Sequence, residues 1–289
     1  MKINSAILNP NINQPLTKCS FNGISNIVSK QDVFQRQMSN LFENFSMNSA
    51  NPLFELNNNN FIAKLSKKLF NNPDAPIKVG ITGESGSGKS TFVQVLCSIL
   101  KKEHDIPTST IYRDNYLKDY SDKAIAYGGA NNYTMTGALD HPQSIDFKRI
   151  ISDIKKLENG ETVFPKKRQR ETGIVIEHDY NNPIQPSKFI FSEGIGLFTS
   201  KKYKNIQDIL IYAQAPDEVI KQRWFDRAES RGKTGDVAKA SYEAAKSKAK
   251  IYTIPYKEEA DIVVNTEAPL SLPAKFINSF VNLIKGLKS

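Results

Sequence analysis

Strands and helices alternate along most of the chain, as the spacing of its apolar residues indicates. Short apolar runs are separated by stretches whose apolar residues recur every three or four positions, which is typical of a parallel sheet flanked by helices. Strands are predicted at 77–81, 108–112, 189–192, 209–212 and 262–265, the last closing the sheet. Helices are predicted at 90–102, 145–157, 217–229, 237–250 and 270–287. The last helix is amphipathic and is expected to pack on the sheet, although a helix on a membrane surface would have the same pattern.

The first 72 residues differ from the rest in composition. Sixteen of them are Asn, whose side chain competes with backbone hydrogen bonding, so much of this segment is expected to be loop. Two helices are exceptions, one over 61–70 and one with an apolar face formed by Phe34, Met38, Leu41, Phe42 and Phe45. We therefore predict an N-terminal extension, 1–72, and one α/β domain, 73–289. The extension either packs on the domain or serves as a partner-binding or targeting arm.

Composition and charge narrow the function classes. Cys19 and Cys97 lie far apart and lack metal-ligand spacing, which favours a reducing compartment without a disulfide framework. The net charge of +9 comes from several basic clusters and accompanies no nucleic-acid-binding motif, so phosphates of a ligand or solvent are the expected partners. No apolar run approaches the ~18 residues of a membrane span, and no signal peptide opens the chain. Residence in the cytoplasm is expected, and delivery by a dedicated secretion route stays open.

The strongest chemical signal lies between the first predicted strand of the domain and its helix. It matches G-x-x-x-x-G-K-[ST], in the strand–loop–helix setting that this phosphate-binding motif requires. Successive backbone N–H groups converge there on a β-phosphate, and the helix adds its positive end. Lys89 is expected to reach the β- and γ-phosphates, and the Ser90 hydroxyl to ligate Mg²⁺. The predicted nucleotide-binding residues are Gly83, Glu84, Ser85, Gly86, Ser87, Gly88, Lys89, Ser90 and Thr91.

Six ordered motifs resemble the uridine kinase, phosphoribulokinase and type I pantothenate kinase superfamily, over about residues 76–266. They are the P-loop, segments 112–116, 139–147 and 190–194, the basic helix ending at 231–233, and Pro255 with 260–263. The resemblance implies a three-layer P-loop NTPase fold with a mostly parallel sheet, a small β-hairpin and a helical lid. It also implies an ATP-dependent phosphotransferase that uses Mg²⁺ to phosphorylate a hydroxyl of a small metabolite.

Acidic residues follow two of the predicted strands. Asp114, at the carboxyl end of a strand beside the P-loop strand, is where open α/β sheets bind ligands, and it can accept a hydroxyl proton; otherwise it caps a turn. Glu193 ends an apolar strand, where a charge is costly without a partner such as Mg²⁺ or its bound water. The resemblance implies that Asp140 holds a neighbouring substrate hydroxyl, although it could equally cap a loop, and that Tyr116 and His141 contact substrate.

A basic helix near residue 225 resembles the lid of the same family. Arg223, Arg227, Arg231 and Lys233 recur at spacings that let several of them share a face. Closing over ATP, they could neutralise the transferring phosphoryl group and exclude water. By this reading Arg231 acts with Lys89 and Asp114 in catalysis, Arg227 and Lys233 bind the nucleotide, and Arg223 contacts substrate. The alternative is a solvated basic helix.

The predicted hairpin at 165–173 departs from the uridine kinase pattern. It lacks the aromatic residue and the His that read the pyrimidine in those enzymes, which argues against uridine or cytidine as acceptor. Four of five consecutive residues, 166–170, are cations instead. We therefore predict that the hairpin, through Arg170, binds an anionic acceptor such as a sugar phosphate or an acid. The alternative is a solvated hairpin tip.

Two other function classes stay open at this level. One is a nucleotide-binding regulator or degenerate kinase whose N-terminal arm binds a protein partner. The other is a kinase that acts on a macromolecule. A GTPase is disfavoured because the guanine-reading N-K-x-D is missing. The sequence leaves open the acceptor, the choice between ATP and GTP, and whether the protein forms a homo-oligomer.

Overall fold

The computed structural model describes residues 29–47, 52–268 and 271–287, and a six-stranded sheet lies at its centre. The strands are β1 (Phe54–Leu56), β2 (Ile77–Thr82), β3 (Thr108–Tyr112), β4 (Lys167–Arg168), β5 (Val175–Ile176), β6 (Phe189–Glu193), β7 (Ile209–Gln214) and β8 (Ile262–Asn265). The sheet order is β1-β8-β7-β2-β6-β3, with β1 antiparallel to its neighbour and the other pairs parallel. Strands β4 and β5 form a separate antiparallel hairpin. The five strands predicted from the sequence are confirmed, but β3, which precedes Asp114, does not lie beside the P-loop strand β2 as predicted, because β6 lies between them.

Helices cover both faces of this sheet. They are α1 (Lys30–Met47), α2 (Asn60–Asn71), α3 (Lys89–His104), α4 (Ser121–Ala126), α5 (Ala130–Met135), α6 (Phe147–Glu158), α7 (Lys201–Asn205), α8 (Asp217–Glu229), α9 (Gly235–Tyr252) and α10 (Ser271–Lys285). The predicted helices are confirmed with small shifts at their ends. Helix α6, for example, begins at Phe147 because the Asp146 carboxylate accepts a 3.1 Å hydrogen bond from Arg149 N and caps the helix.

Two hydrophobic clusters on opposite faces of the sheet make the fold three-layered. In β6, Phe189 and Phe191 point to the cluster that holds α1, α2, α3 and α10, whereas Ile190 points to the cluster that holds α6 and α7. This alternation follows from the period of two in a strand, and burial on both faces explains why the strands read as continuous apolar runs. The predicted three-layer α/β fold, with a mostly parallel sheet and a small hairpin, is confirmed.

The N-terminal segment contributes to the first of these clusters. Phe34, Met38 and Phe42 of α1 are buried, and Leu41 and Phe45 are partly buried against the cluster, as their spacing predicted. Strand β1 pairs with β8, so β8 does not close the sheet; that prediction was wrong because a three-residue strand from the Asn-rich segment adds one more edge. The described residues before 73 thus share the core of the rest, and a division of the chain at 73 stays a prediction.

The C-terminal helix packs inward. Ile277, Phe280, Val281 and Ile284 of α10 are buried in the first cluster, which confirms that the apolar face covers the sheet layer. Within the described ranges, no helix combines the length and the apolar character needed to cross a membrane.

Candidate functional site

The loop between β2 and α3 bends tightly enough to aim its backbone inward. Gly83 has φ 154° and Gly88 has φ 83°, both in the region that favours glycine. A Cβ on Gly83 would lie 2.4 Å from the Ala213 carbonyl oxygen, so no larger residue fits there. Gly88 is the N-cap of α3, whose N–H groups therefore open toward the loop. The loop thus has the shape of the phosphate cradle that the motif predicts, and a helix N-terminus of this kind is a favourable site for an anion.

A cavity of about 430 Å³ lies beside this loop, at the carboxyl ends of β2, β3 and β6. The loop, the turns after β3 and before α6, the hairpin, α8 and α9 all contribute to its wall. The predicted site residues that the structure brings together there are Ser85, Lys89, Ser90, Asp114, Asp140, Arg170, Glu193, Arg227, Arg231 and Lys233.

Asp114 is the second residue of a short 3-10 turn, Arg113–Tyr116, directly after β3, and Arg113 fixes its position. The Arg113 side chain is buried, and its Nη1 lies 3.3 Å from Asp114 Oδ1. Its Nη2 donates to the Leu139 carbonyl oxygen and, at 3.4 Å, to Ser144 Oγ, both in the segment that carries Asp140. One guanidinium therefore ties together the two loops that hold the cavity carboxylates.

The carboxylates of Asp114 and Asp140 have pKa values shifted in opposite directions. Enclosure in the cavity raises the pKa of Asp114, but Arg113, Arg168 and Lys89 outweigh it and hold the pKa below the usual range. Asp140 has a raised pKa because of its enclosure and the nearby Asp114 charge, which exceed the effect of Arg113. A pair of carboxyl groups driven apart in this way suits distinct roles in proton transfer and hydrogen bonding.

Glu193 and Ser90 form the acidic side of the phosphate cradle. The Ser90 hydroxyl donates to Glu193 Oε1 at 2.9 Å, while Glu193 Oε2 is buried and has no hydrogen-bond partner in the described part of the chain. An orphaned carboxylate oxygen beside a hydroxyl fits the oxygen ligands that Mg²⁺ prefers. The described residues contain no group of three or more His, Cys, Asp or Glu side chains suited to a metal. Ser90 and Glu193 could therefore hold Mg²⁺ jointly with phosphate oxygens and water.

Lys89 lies at the base of the cradle. Its side chain is buried, and its Nζ lies 3.3 Å from the Glu84 carbonyl oxygen. Burial lowers the pKa of Lys89, against the opposing effects of Glu193, Asp114 and Asp140. A phosphate bound here would strongly stabilise the charged form of Lys89, since charge pairs are stronger where water is excluded.

Four arginines converge on the cavity from two sides. Arg168 and Arg170 come from the hairpin, and Arg227 and Arg231 come from α8 and its exit. Arg227 Nη2 donates to Ser85 Oγ in the P-loop. Burial and the neighbouring arginines lower the pKa of Arg231. The positive charges of these arginines repel one another, and a bound anion would offset that repulsion.

Tyr116 and His141 do not line this cavity. Tyr116 is fully buried, and its hydroxyl donates to Asp153 Oδ2 at 2.9 Å, under the floor of the site. His141 Nδ1 accepts from Gln143 N at 3.1 Å and caps the turn before α6, with its ring centroid 4.6 Å from that of Tyr252. Their side chains are engaged in holding the loops that carry Asp114 and Asp140, so the predicted substrate contacts lack support in the geometry.

Arg223 and Thr91 also lie elsewhere. Arg223 pairs with Glu267 and donates to Thr266 Oγ1 at 3.4 Å, on the outer side of Gly88. It therefore borders the back of the P-loop rather than the acceptor side of the cavity. Thr91 is exposed on the first turn of α3.

Sequence reasoning missed several lining residues. Arg113 precedes the candidate base Asp114 in the sequence, but its role depends on its burial, which the sequence does not show. Tyr120, Asn131 and Thr134 also line the cavity, and they come from a segment around α4 and α5 that carries no recognisable motif. Lys166, counted among the hairpin cations, turns away instead and pairs with acidic residues at 2.8 and 3.1 Å.

The region that forms this site resembles known proteins. Residues 78–269 match the family described as Phosphoribulokinase / Uridine kinase family. A uridine kinase of Chlamydia pneumoniae is 31% identical over 199 residues, covering 65% of this chain and 80% of the relative. A uridine kinase of Clostridium perfringens is 28% identical over 191 residues, covering 65% and 86%. The solved structure of phosphoribulokinase from Rhodobacter spheroides shares 16% identity with a TM-score of 0.45, covering 70% and 75%, a likeness too distant to bear on substrate.

Proposed function

The chain belongs to the phosphoribulokinase/uridine kinase family, and on that premise we propose that it transfers the γ-phosphoryl group of ATP, with Mg²⁺, to a hydroxyl of a small anionic metabolite. The observation that carries this proposal is one cavity that holds both a phosphate cradle and two further carboxylates. Lys89, Ser90 and Glu193 lie on the cradle side, and Asp114 and Asp140 lie on the other. Phosphoryl transfer needs this division, because it is mostly positioning plus electrostatic stabilisation.

On the donor side, the backbone of Gly83–Ser90 and the Lys89 ammonium bind the triphosphate. Mg²⁺ bound through Ser90 and Glu193 would neutralise charge on the phosphate oxygens. Arg227 and Arg231, at the lid, then face the γ-phosphoryl group. Their positive charge stabilises the charge that spreads over its oxygens in the transition state.

On the acceptor side, Asp114 receives the proton of the substrate hydroxyl. The hydroxyl oxygen forms a bond to the γ-phosphorus while the bond from that phosphorus to the β–γ bridging oxygen breaks, and ADP leaves. The lowered pKa of Asp114 keeps this carboxylate ionised, and so able to accept a proton, at neutral pH. Asp140 holds a neighbouring hydroxyl and thereby orients the acceptor.

The acceptor's negative charge is inferred from the hairpin. Two of its four cations within 166–170, Arg168 and Arg170, line the cavity close enough to Arg231 to lower its pKa. Arg227 and Arg231 are assigned to the γ-phosphoryl group, which leaves Arg168 and Arg170 to bind an anionic group of the acceptor. A planar guanidinium binds a carboxylate or phosphate through two parallel hydrogen bonds, which supports either group as the anion.

The proposal is tested by incubating the protein with MgATP and a panel of small alcohols, some neutral and some bearing carboxylate or phosphate. Mass spectrometry would identify the compound that gains one phosphate. With that acceptor, Asp114→Asn should lower kcat at least 100-fold, the scale of general-base catalysis, while nucleotide affinity stays within about threefold. The exposed Asp122→Asn is the matched control.

Full turnover in Asp114→Asn would remove Asp114 from its assigned role. Neutral alcohols outperforming every anionic one would overturn the assignment of the acceptor class. Tight nucleotide binding without transfer to any acceptor would favour the nucleotide-binding regulator instead.

A further inference from the structure

Helix α9 carries a lysine that reaches the P-loop. Lys246 Nζ lies 2.8 Å from Glu84 Oε2 and 3.0 Å from Asp217 Oδ1, at the start of α8. The Lys246 side chain is 16% exposed and that of Glu84 is 10% exposed, so this contact is mostly removed from water. An ion pair in such surroundings is screened little by salt, and removing one partner leaves an uncompensated buried charge.

Glu84 poses an electrostatic problem that Lys246 solves. It is the second residue of the phosphate cradle, and a buried carboxylate there would repel a triphosphate. Its side chain does not line the cavity but turns toward α9, where Lys246 neutralises it. Burial lowers the pKa of Lys246, but Glu84 and Asp217 together raise it above its usual value, so the lysine stays a cation.

The same helix also reaches the acceptor side of the cavity. Ser241 and Ala245, within two turns of Lys246, line the cavity wall. One residue before Ala245, the backbone of Ala244 packs on the turn that precedes Asp140, where a Cβ on Gly137 would lie 3.1 Å from the Ala244 carbonyl oxygen. Helix α9 therefore touches the donor loop through one side chain and the acceptor loop through its backbone.

We propose that Lys246 is a positioning residue for phosphoryl transfer: it holds α9 against the P-loop and neutralises Glu84, so that one helix sets the donor cradle and the acceptor loop together. The proposal rests on the proposed function insofar as the cradle is the ATP site of a kinase. Lys246 touches no reacting atom in this role. It acts through Glu84 and through the placement of α9.

The experiment is a double-mutant cycle on nucleotide affinity, measured by calorimetry with MgADP and no acceptor. Lys246→Met leaves Glu84 buried and unpaired and should weaken binding roughly tenfold, since removing one partner of a buried pair leaves an uncompensated charge. Glu84→Gln removes that charge, so Lys246→Met should weaken binding much less in the Glu84→Gln background than in the parent. The double variant should bind like Glu84→Gln, so that the two effects are far from additive. Lys239→Met is the matched control, because Lys239 lies on the same helix but is 73% exposed and pairs with the exposed Asp236.

The cycle separates positioning from simple structural support. If Lys246 only stabilised the fold, melting temperatures would fall in Lys246→Met while the folded protein kept its nucleotide affinity, and the proposal would be overturned. Equal weakening by Lys239→Met, or additive effects in the double variant, would also overturn it. Because no acceptor enters the measurement, the proposed function could fail through missing transfer while this cycle still shows the coupling of Lys246 to Glu84.

Discussion

The hydroxyl of Ser90 donates a 2.9 Å hydrogen bond to Oε1 of Glu193, between the first turn of α3 and the last residue of β6. The two residues are 103 positions apart in the sequence, so it is the fold that brings their side chains together. The parallel pairing of β2 with β6 sets Ile81 opposite Glu193 and thus brings the end of β6 beside the P-loop. The remaining oxygen of Glu193 is buried without a partner among the described residues, which is costly unless a ligand satisfies it.

Glu193→Gln should therefore weaken the response to Mg²⁺. The amide oxygen can still accept from Ser90, but the negative charge is lost. We expect the Mg²⁺ concentration that gives half-maximal nucleotide binding to rise roughly 10- to 100-fold, the range typical of a lost metal-site partner. Titration of Mg²⁺ at fixed ADP measures it, and the exposed Glu161→Gln serves as control. An unchanged Mg²⁺ dependence would contradict the assignment.

Arg170→Met should raise the KM for the anionic acceptor by roughly 10- to 100-fold, the loss expected for a hydrogen bond to a charged group. The value of kcat should change little, because Arg170 binds substrate and transition state alike. Steady-state kinetics with the identified acceptor measures both constants.

Lys167→Met is the control for Arg170, since Lys167 is an exposed cation of the same hairpin and does not line the cavity. The KM of the parent protein should also rise with ionic strength, as for any charge-dependent encounter. Similar KM values for the two variants would mean that the hairpin tip is merely solvated.

Asp261 should make the stability of the fold fall as pH rises. Its Oδ2 accepts a 2.8 Å hydrogen bond from Leu210 N, yet burial raises its pKa to about 6. In the unfolded chain the pKa of this carboxyl group is ~3.9. Between about pH 4 and 6 the folded protein therefore binds one proton more at Asp261 than the unfolded chain does. The contribution of protonated Asp261 to the free energy of unfolding is therefore fully present below about pH 4 and is lost as pH rises through about 6.

Asp261→Asn keeps the acceptor oxygen and removes the charge, so it should abolish this part of the pH dependence. At pH 7.5 the variant should be more stable by roughly 2–3 kcal/mol, which is the pKa difference converted to free energy. At pH 4 the two proteins should unfold at the same urea concentration. Asp236→Asn, at a fully exposed side chain, is the control and should leave both values unchanged. A constant difference at both pH values would show that charge burial at Asp261 is not the cause.

Much of the site could be predicted because its residues stand at strand ends or in a motif. Lys89 and Asp114 follow β2 and β3, Glu193 is the last residue of β6, and the carboxyl ends of parallel strands meet at one edge of the sheet. What the sequence could not show is which long-range partner captures a side chain. Tyr116 meets Asp153, 37 residues further along.

Helix α8, the predicted lid, also shows that the sequence does not reveal the long-range partner of a side chain. Arg223 and Arg227 lie one turn apart on α8, and periodicity predicts a shared face. Arg223 instead turns to Glu267, 44 positions away, while Arg227 reaches Ser85 in the P-loop. Strand β1 was missed for a related reason, since its three residues depend on the pairing of Phe54 with Val264 rather than on local propensity.

Phe42→Ala should destabilise the whole protein rather than an appended segment. The Phe42 ring is 1% exposed, and its centroid lies 5.1 Å from those of Phe61 and Phe276 and 6.0 Å from that of Phe54. Removing such a ring typically costs about 3–5 kcal/mol. Val33→Ala, at a 44% exposed position of the same helix, is the control and should cost well under ~1 kcal/mol.

The readout uses the single tryptophan of the chain, Trp224, which lies in α8 far along the sequence from α1. If α1 is part of one cooperative core, Phe42→Ala shifts the urea midpoint of Trp224 fluorescence and of far-UV circular dichroism by the same amount. An independently unfolding arm would instead lower only part of the dichroism signal and leave the Trp224 transition in place. Coincident shifts are expected, because Phe42 contacts β1, α2 and α10, and β1 is hydrogen-bonded to the sheet that carries the site.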